Sequence, residues 1–428
     1  MRTSKPENRR IVNILGATMG IDIGKYNHVV TAQNWDGQRL KPLIFENNIN
    51  GFNRLMAAKE DAQQCFGVTD IRFALEPTGQ YWMALAEWLE RRNEEVRTVQ
   101  PAHTHKAKEL EDNSPGKHDV KDSGIIADLD RQGKSLRLVR KQGIFAELRH
   151  LTVCRQRLKQ DINREINRLY GVLDLLFPEL LGLFKEHIGK GLLGLLKVTA
   201  CPDKIAQLGA EAIGQLLMEK SRGHLGSERA ALIVQTARIS IGIKEGRQVL
   251  ELGLNQILER LEFMRRQLKQ VEGCMKDTLK EVPDRAILLS LPAIGEISLG
   301  IILGEIGDIR GYNSAQQLIK LAGLNLYELS SGQHHGIKRI SKRGRPLLRQ
   351  MLYFAALRLI NVKGGFYDFY QRLTGKGKHK IPAIIAVVCK LVRVLFAMAR
   401  NKQSYDDNKV GREYLTNGNI NRMELALN

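Results

Sequence analysis

TMGIDIGK, residues 18–25, sets a carboxylate, Asp22, into what otherwise reads as a core strand. Strand alternation sends Ile21 and Ile23 to one face and Asp22, between Gly20 and Gly24, to the other. A charge on a core strand costs free energy unless something compensates it, so this acid needs a reason. Working outward, HVVTAQNW (28–35), an Asp36-Gly37 turn and LKPLIFEN (40–47) complete an antiparallel meander. An amphipathic helix follows Asn50, then DIRFALE (70–76) as a buried strand. Next come a helix in GQYWMALAEWLERRN (79–93), a strand in EVRTVQ (95–100) and a helix in HTHKAKELE (103–111). Three antiparallel strands followed by alternating helices and strands is the order of an α/β ribonuclease-H-like fold, in which the first and fourth strands are neighbours.

That neighbourhood brings Glu76, at the end of the fourth strand, toward Asp22. PGKHDVKDSG (115–124) adds Asp119 and Asp122, three residues apart and so on one face of a helix, where they repel unless a cation lies between them. Four carboxylates gathered at one sheet end make an oxygen-rich site for Mg²⁺ or Mn²⁺. Two such ions about 4 Å apart stabilise both the entering and the leaving oxygen of a phosphodiester. Lys117 and Lys121, interleaved with the acids, are expected to face the phosphates. Competing roles exist: Asp119 as a helix N-cap, Glu76 as an ordinary strand-end residue, and GIDIG as the glycine-flanked acid of actin-like ATPases. Those ATPases also need a second phosphate loop and a Gly-Gly adenosine motif, and neither is present in suitable order.

The composition agrees with a polyanionic partner. Among 428 residues, 66 Lys and Arg face 46 Asp and Glu, a formal charge of +20 spread along the chain, which points to nucleic acid. The length suits about three domains, and a 43% hydrophobic content supplies their cores. IPAIIAVVCKLVRVLFAMAR (381–400) carries Lys390 and Arg393 at helical spacing, which suits a half-buried helix rather than a membrane span. The N-terminus reads as a polar arm, since Asn13 and Asp22 interrupt any signal-peptide pattern. Cys65, Cys154, Cys201, Cys274 and Cys389 are scattered, with no CxxC pair, so no disulfide framework or zinc site is expected and a reducing cytoplasm fits.

From Leu250 the apolar positions run 250, 254, 257, 261, 264, 268, 271 and 275, the 4-3 spacing of a coiled-coil seam. An earlier helix carries Leu158, Ile162, Ile166, Leu169, Leu173, Leu176 and Leu180. The pair is expected to form an antiparallel arm, within one chain or between two, or else a spacer packed on its own domain. LLSLPAIGEISLGIILGEIG (288–307) reads as two apolar helices about a Pro292–Gly295 turn, resembling a helix-hairpin-helix. SAQQLIKLAGL (314–324), the loop NLYELSSGQHHGIKRISKRG (325–344) and a helix from Pro346 follow. Within SSGQHHGIKRISKRGRPLLR, Lys338, Arg339, Lys342, Arg343, Arg345 and Arg349 supply six cations and no acid, a density suited to phosphates. Ser330 and Ser331 precede Gly332 in this loop. A serine hydroxyl becomes a nucleophile only with help from a base, a metal or positive charge, and on its own a Ser-Gly pair is an ordinary turn.

GIDIGK, LEPTGQYW, KHDVKD and LPAIG…LAGL…SSG…KRISKRG…LRQMLYFAA stand in the order found in the DEDD insertion-sequence transposases, and to about residue 405 the chain resembles that family. The family comprises RNA-guided bridge recombinases with a RuvC-like N-terminal domain and a C-terminal serine domain. The resemblance implies a RuvC-like domain over 1–140, a helical coiled-coil oligomerisation region over 141–282, a mainly α transposase domain over 283–405 and a polar tail over 406–428. It implies that Asp22, Glu76, Asp119 and Asp122 bind metal and that Ser331 forms a transient phosphoserine link to DNA, with Ser330 and Ser341 as other candidates. It further implies element-end and target DNA and a structured noncoding guide RNA as partners. A homo-oligomer, dimer or tetramer, is implied to combine acids and serine from different subunits, in a nucleoid-associated prokaryotic setting without a membrane. The alternatives are a RuvC-type endonuclease or junction resolvase that activates water, and a basic nucleic-acid scaffold without catalysis.

Overall fold

The computed structural model describes residues 16–112, 119–138, 140–184, 188–328 and 338–410; for 110–112 and 119–120 only the backbone is considered. The chain forms two compact units, Met1–Arg140 and Lys141–Asn428.

The first unit is a six-stranded sheet with helices on both faces. Its elements are β1 (Ala17–Asp22), β2 (Asn27–Asn34), β3 (Leu43–Glu46), α1 (Ile49–Phe66), β4 (Ile71–Leu75), α2 (Trp82–Glu90), β5 (Val96–Thr98), α3 (Pro101–Asp112), α4 (Asp119–Arg131) and β6 (Leu136–Arg137). The strand order is β3-β2-β1-β4-β5-β6. The expected meander is present: β1 and β3 both pair antiparallel with β2, and β4 lies parallel to β1. The two-residue β6, which the sequence reading did not anticipate, pairs antiparallel with β5.

Alternation sorts the sheet's faces. Met19, Ile21, Val30, Phe45, Phe73 and Leu75 form a core with Phe52 and Leu55 of α1 and Leu85 and Leu89 of α2. The other face meets α4 at Gly20. A Cβ on Gly20 would lie 2.3 Å from the carbonyl oxygen of Ser123 and 2.4 Å from the nitrogen of Ala127, so only glycine lets helix and strand come together here. The far end of α4 is fixed by Asp130, wholly buried, which accepts hydrogen bonds from Thr18 Oγ1 at 2.7 Å, Arg72 Nε at 2.6 Å and Ser135.

The second unit is mostly helical. Its helices are α5 (Gly143–Leu176), α6 (Lys190–Val198), α7 (Pro202–Ser221), α8 (Ser227–Arg238), α9 (Arg247–Lys280), α10 (Arg285–Leu289), α11 (Glu296–Ile306), α12 (Ala315–Leu321), α13 (Pro346–Ile360), α14 (Gly365–Gly375) and α15 (Lys380–Asn401). The 4-3 seam lies on α9 and packs along α5 in the same chain. The two run antiparallel, because Arg155 pairs with Glu272 at 2.8 Å while Glu165 pairs with Arg260 at 3.0 Å. At one end of this arm Leu148, Met275 and Leu279 enter a core built from α10 to α15. At the other, Leu169, Leu173, Leu254 and Ile257 enter a second core with α6, α7 and α8. The arm therefore carries a helical head, which the seam alone did not announce.

In the C-terminal core, α10, a turn through Leu291–Gly295 and α11 form the expected pair of short apolar helices. The turn is closed by Ile294 N–H to the Leu291 carbonyl at 3.1 Å. α15 is long and apolar enough to cross a membrane, yet it is the central helix of this core. Its Lys390 is buried with the ammonium 4.1 Å from the centre of the Phe369 ring, a cation–π contact.

Candidate functional site

In the first unit, the geometry follows from register. Ile21 of β1 is paired with Leu75 of β4 in parallel. Asp22 and Glu76, each one residue further on, therefore reach the same level on strands about 4.8 Å apart. Since Ile21 faces the α1/α2 core, Asp22 faces the α4 side. α4 runs the opposite way to β1, with Asp130 beside Thr18 and both Ser123 and Ala127 beside Gly20. From Thr18 to Asp22 is four strand residues, about 13 Å; from Asp130 back to Asp122 is eight helical residues, about 12 Å. The start of α4, with Asp119 and Asp122, thus lies at the sheet end that holds Asp22 and Glu76. Ser123, one residue on, is hydrogen-bonded to Thr31 of β2 at 2.7 Å between hydroxyl oxygens.

The individual carboxylates differ. Asp22 is half-buried. Glu76 accepts from its own neighbour, Thr78 Oγ1, at 2.7 Å. Asp122 is buried; its Oδ2 accepts from Lys108 Nζ of α3 at 2.5 Å, and its buried Oδ1 has no hydrogen-bond partner among the described residues. Among the described residues, no three His, Cys, Asp or Glu side chains lie close enough to hold one ion. The donor set is nonetheless all oxygen, with one buried carboxylate oxygen unsatisfied and an ammonium compensating its partner. Such a set fits a hard divalent cation and not a thiophilic one.

Lys108 was missed in the sequence because it sits on another helix, 14 residues from Asp122. Lys121, expected to face phosphates, instead has its ammonium buried. The reason is helical spacing: Lys121 lies four residues before Ile125, which packs with Ala74 and Val99. Lys117 lies outside the described residues, as do Ser330 and Ser331.

In the second unit, the cation-rich loop springs from a two-stranded ribbon, β7 (Leu326–Tyr327) and β8 (Arg339–Ile340), paired antiparallel. The base of the ribbon is clamped to the end of α12. Ser341 N donates to the Asn325 carbonyl at 2.8 Å, Lys342 N to that of Gly323 at 2.9 Å, and Arg345 N to that of Leu321 at 2.8 Å. Gly323 has φ +69°, and a Cβ there would lie 2.9 Å from the Lys342 carbonyl carbon, which explains the glycine of LAGL. Ser341 Oγ donates to Asn325 Oδ1 at 2.6 Å, so this hydroxyl is part of the clamp.

The six expected cations divide into two groups. Lys338, Arg339, Lys342 and Arg343 are exposed. Arg349 donates to the Ala322 carbonyl at 2.9 Å, and Arg345 pairs at 3.2 Å with Glu305, a buried acid of α11 that the sequence reading passed over. Glu305 also pairs with Arg149 of α5, while Lys141 Nζ donates to its backbone carbonyl at 2.8 Å. Burial, with Arg345 and Arg149 nearby, pushes the Lys141 amine down to about 7.

Comparison with known proteins accords with both regions. A transposase model of the DEDD IS110 type matches residues 19–178, and a model described as Transposase IS116/IS110/IS902 family matches residues 285–371. The chain is 25% identical over 388 residues to the insertion element IS116 uncharacterized 44.8 kDa protein of Streptomyces clavuligerus, covering 90% of this chain and 95% of that protein. It is 26% identical to the insertion element IS900 uncharacterized 42 kDa protein of Mycobacterium paratuberculosis, over 90% of this chain and 96% of that protein. A shorter match, 33% identical over 29% of this chain and 40% of its counterpart, is to the pilin gene-inverting protein of Moraxella bovis. With one model over the acid-bearing sheet and α5, the other over the helices around the basic ribbon, and relatives aligned across nearly the full length, the chain belongs to the IS110/IS116/IS902 family of insertion-sequence transposases.

Proposed function

We propose that this protein cuts and rejoins the DNA ends of an insertion sequence with a target, using an acidic metal site and a serine nucleophile. The observation that carries the reading is the β1/β4 register, which sets Asp22 beside Glu76 at the sheet end where α4 begins with Asp119 and Asp122. On this reading the first unit is a ribonuclease-H-like, RuvC-like domain. Residues 141–282 are an arm that serves oligomerisation, 283–405 a serine-bearing transposase domain and 406–428 a polar tail.

Asp22, Glu76, Asp119 and Asp122 would hold Mg²⁺ or Mn²⁺, which when bound offers Lewis-acid stabilisation of a phosphoryl oxygen. Lys108 holds Asp122 in place and balances its charge. Ser331 Oγ forms a bond to phosphorus as the bond to the departing strand breaks, the hydroxyl proton ending on the released oxygen. The resulting phosphoserine retains the phosphodiester for rejoining. Lys338, Arg339, Lys342 and Arg343 neutralise the strand's phosphates beside the serine. A structured noncoding RNA of the element pairs with donor and target and so sets sequence choice, as base pairing does in other guided systems.

The test is to trap the link. The full chain, its element's flanking noncoding transcript, Mg²⁺ and end-labelled element DNA are combined, denatured and resolved on a gel. The expected result is DNA-linked protein that is lost in Ser331→Ala, with DNA binding retained. Cleavage without protein-linked DNA would remove the serine and favour metal-activated water.

A further inference from the structure

Within the second unit, a cleft of about 830 Å³ opens between α5 and the start of α13. Its volume falls in the range of about 300–1,000 Å³ typical of ligand sites. Four arginines line it, Arg149 and Arg157 from α5 and Arg345 and Arg349 at α13, against one acid, Glu305. Arg149 and Arg345 share that carboxylate, and Arg349 spends part of its donor set on the Ala322 carbonyl. Arg157 is exposed and has no partner among the described residues. Beside these arginines, Leu347 and Tyr353 of α13 also line the cleft.

Four positive charges against one negative leave a surplus of three in a partly enclosed space. The same surplus is felt by Lys141 behind Glu305, whose amine is held at about 7 by burial together with Arg345 and Arg149. A cluster of four arginines around one acid carries a net positive charge that an anionic group can neutralise. Guanidinium forks match phosphate oxygens, and an aromatic ring beside them matches a base or sugar.

We propose that this cleft receives one nucleotide of a DNA strand, its phosphate on the arginines of α5 and α13 and its sugar and base against Tyr353 and Leu347. The proposal rests on the transposase reading for the choice of DNA, but it assigns a contact to α5, where the sequence reading placed only a coiled-coil arm. Glu305 is a positioning residue here: it holds Arg149 and Arg345 apart and aimed into the cleft.

The experiment is fluorescence anisotropy of the full chain with a labelled duplex at several salt concentrations, comparing Arg157→Ala, Arg157→Glu and Arg265→Ala, the last an exposed arginine of α9 that does not line the cleft. Losing one phosphate contact should flatten the slope of log K against log salt by about 1. Arg157→Ala should show that change with several-fold weaker binding at low salt, Arg157→Glu a larger loss, and Arg265→Ala neither. Because Arg157 is exposed, these variants should keep the thermal midpoint of the unsubstituted chain. Tight binding with an unchanged slope in Arg157→Ala overturns the cleft and leaves the transposase reading standing. Equal losses in Arg157→Ala and Arg265→Ala reduce the effect to net charge and also overturn it. No duplex binding by the unsubstituted chain overturns both readings. A loss seen with an RNA hairpin but not with DNA overturns the DNA assignment.

Discussion

The two units present their charged residues by opposite means. In the first, the acids sit where regular elements end: Asp22 closes β1, Glu76 follows β4, and Asp119 opens α4. Their positions are set by strand register and by the helix pressed onto Gly20, so rigid backbone does the placing. In the second, the cations lie on and beside the β7/β8 ribbon, whose base is clamped by the end of α12, the Asn325–Ser341 pair and Glu305 beneath Arg345. The lesson is a division of labour. On the proposed reading, carboxylates that share an ion need positions fixed to a fraction of an ångström, which strands and helices provide. A group that must reach a phosphodiester needs only a firm anchor.

This contrast can be broken at its anchors. One effect belongs to the first unit. Asp130→Ala strands Arg72 with its partner removed and frees α4 from Thr18, and breaking a buried ion pair from one side costs about 3–5 kcal/mol. Chemical denaturation of the full chain should show that loss in the transition reporting on the sheet, while the helical unit unfolds as before. An unchanged transition would mean that α4 is held by other contacts.

A pH-dependent effect of similar order belongs to the second unit. Lys141 has a folded pKa of about 7 against an ordinary value of 10.5, so between those values the unfolded chain binds the extra proton. Stability then rises with pH across that window, and the full penalty of burying this lysine is present below about pH 7. Lys141→Met should flatten the pH dependence of the thermal midpoint between about 7 and 10. A variant with the parent's slope would show that Lys141 is not the group responsible.

Much of the first unit was legible in the sequence because its strands alternate and its helices carry turn signals at their ends. β6, only two residues long, has no periodicity to read. Asp22 and Glu76 could be placed together because neighbouring parallel strands leave no freedom of level once the strand order is known. Asp122's pairing with Lys108 could not, since nothing local links two helices across a loop. The 4-3 seam on α9 named an inward face but not a partner, for heptad spacing is the same within a chain as between chains. The head formed by α6, α7 and α8 carries apolar residues such as Leu192, Leu195, Ile213 and Ile233 that belong to no long repeat. Glu305 did have a signal, a single acid in the largely apolar run ISLGIILGEIG that follows Glu296, and a buried acid of that kind calls for cationic partners. Ser331 rests on its place before Gly332 and on the family resemblance, and its test is chemical.

The most direct measurement is of recombination in bacterial cells. A plasmid would carry the element's ends and flanking noncoding DNA, with the chain supplied as Asp22 or as Asp22→Asn. The substitution keeps the shape of the side chain and removes the charge that a divalent ion needs. The account predicts recombinant counts at least about 100-fold lower for Asp22→Asn at equal protein level. Recombination at the unsubstituted frequency would contradict it.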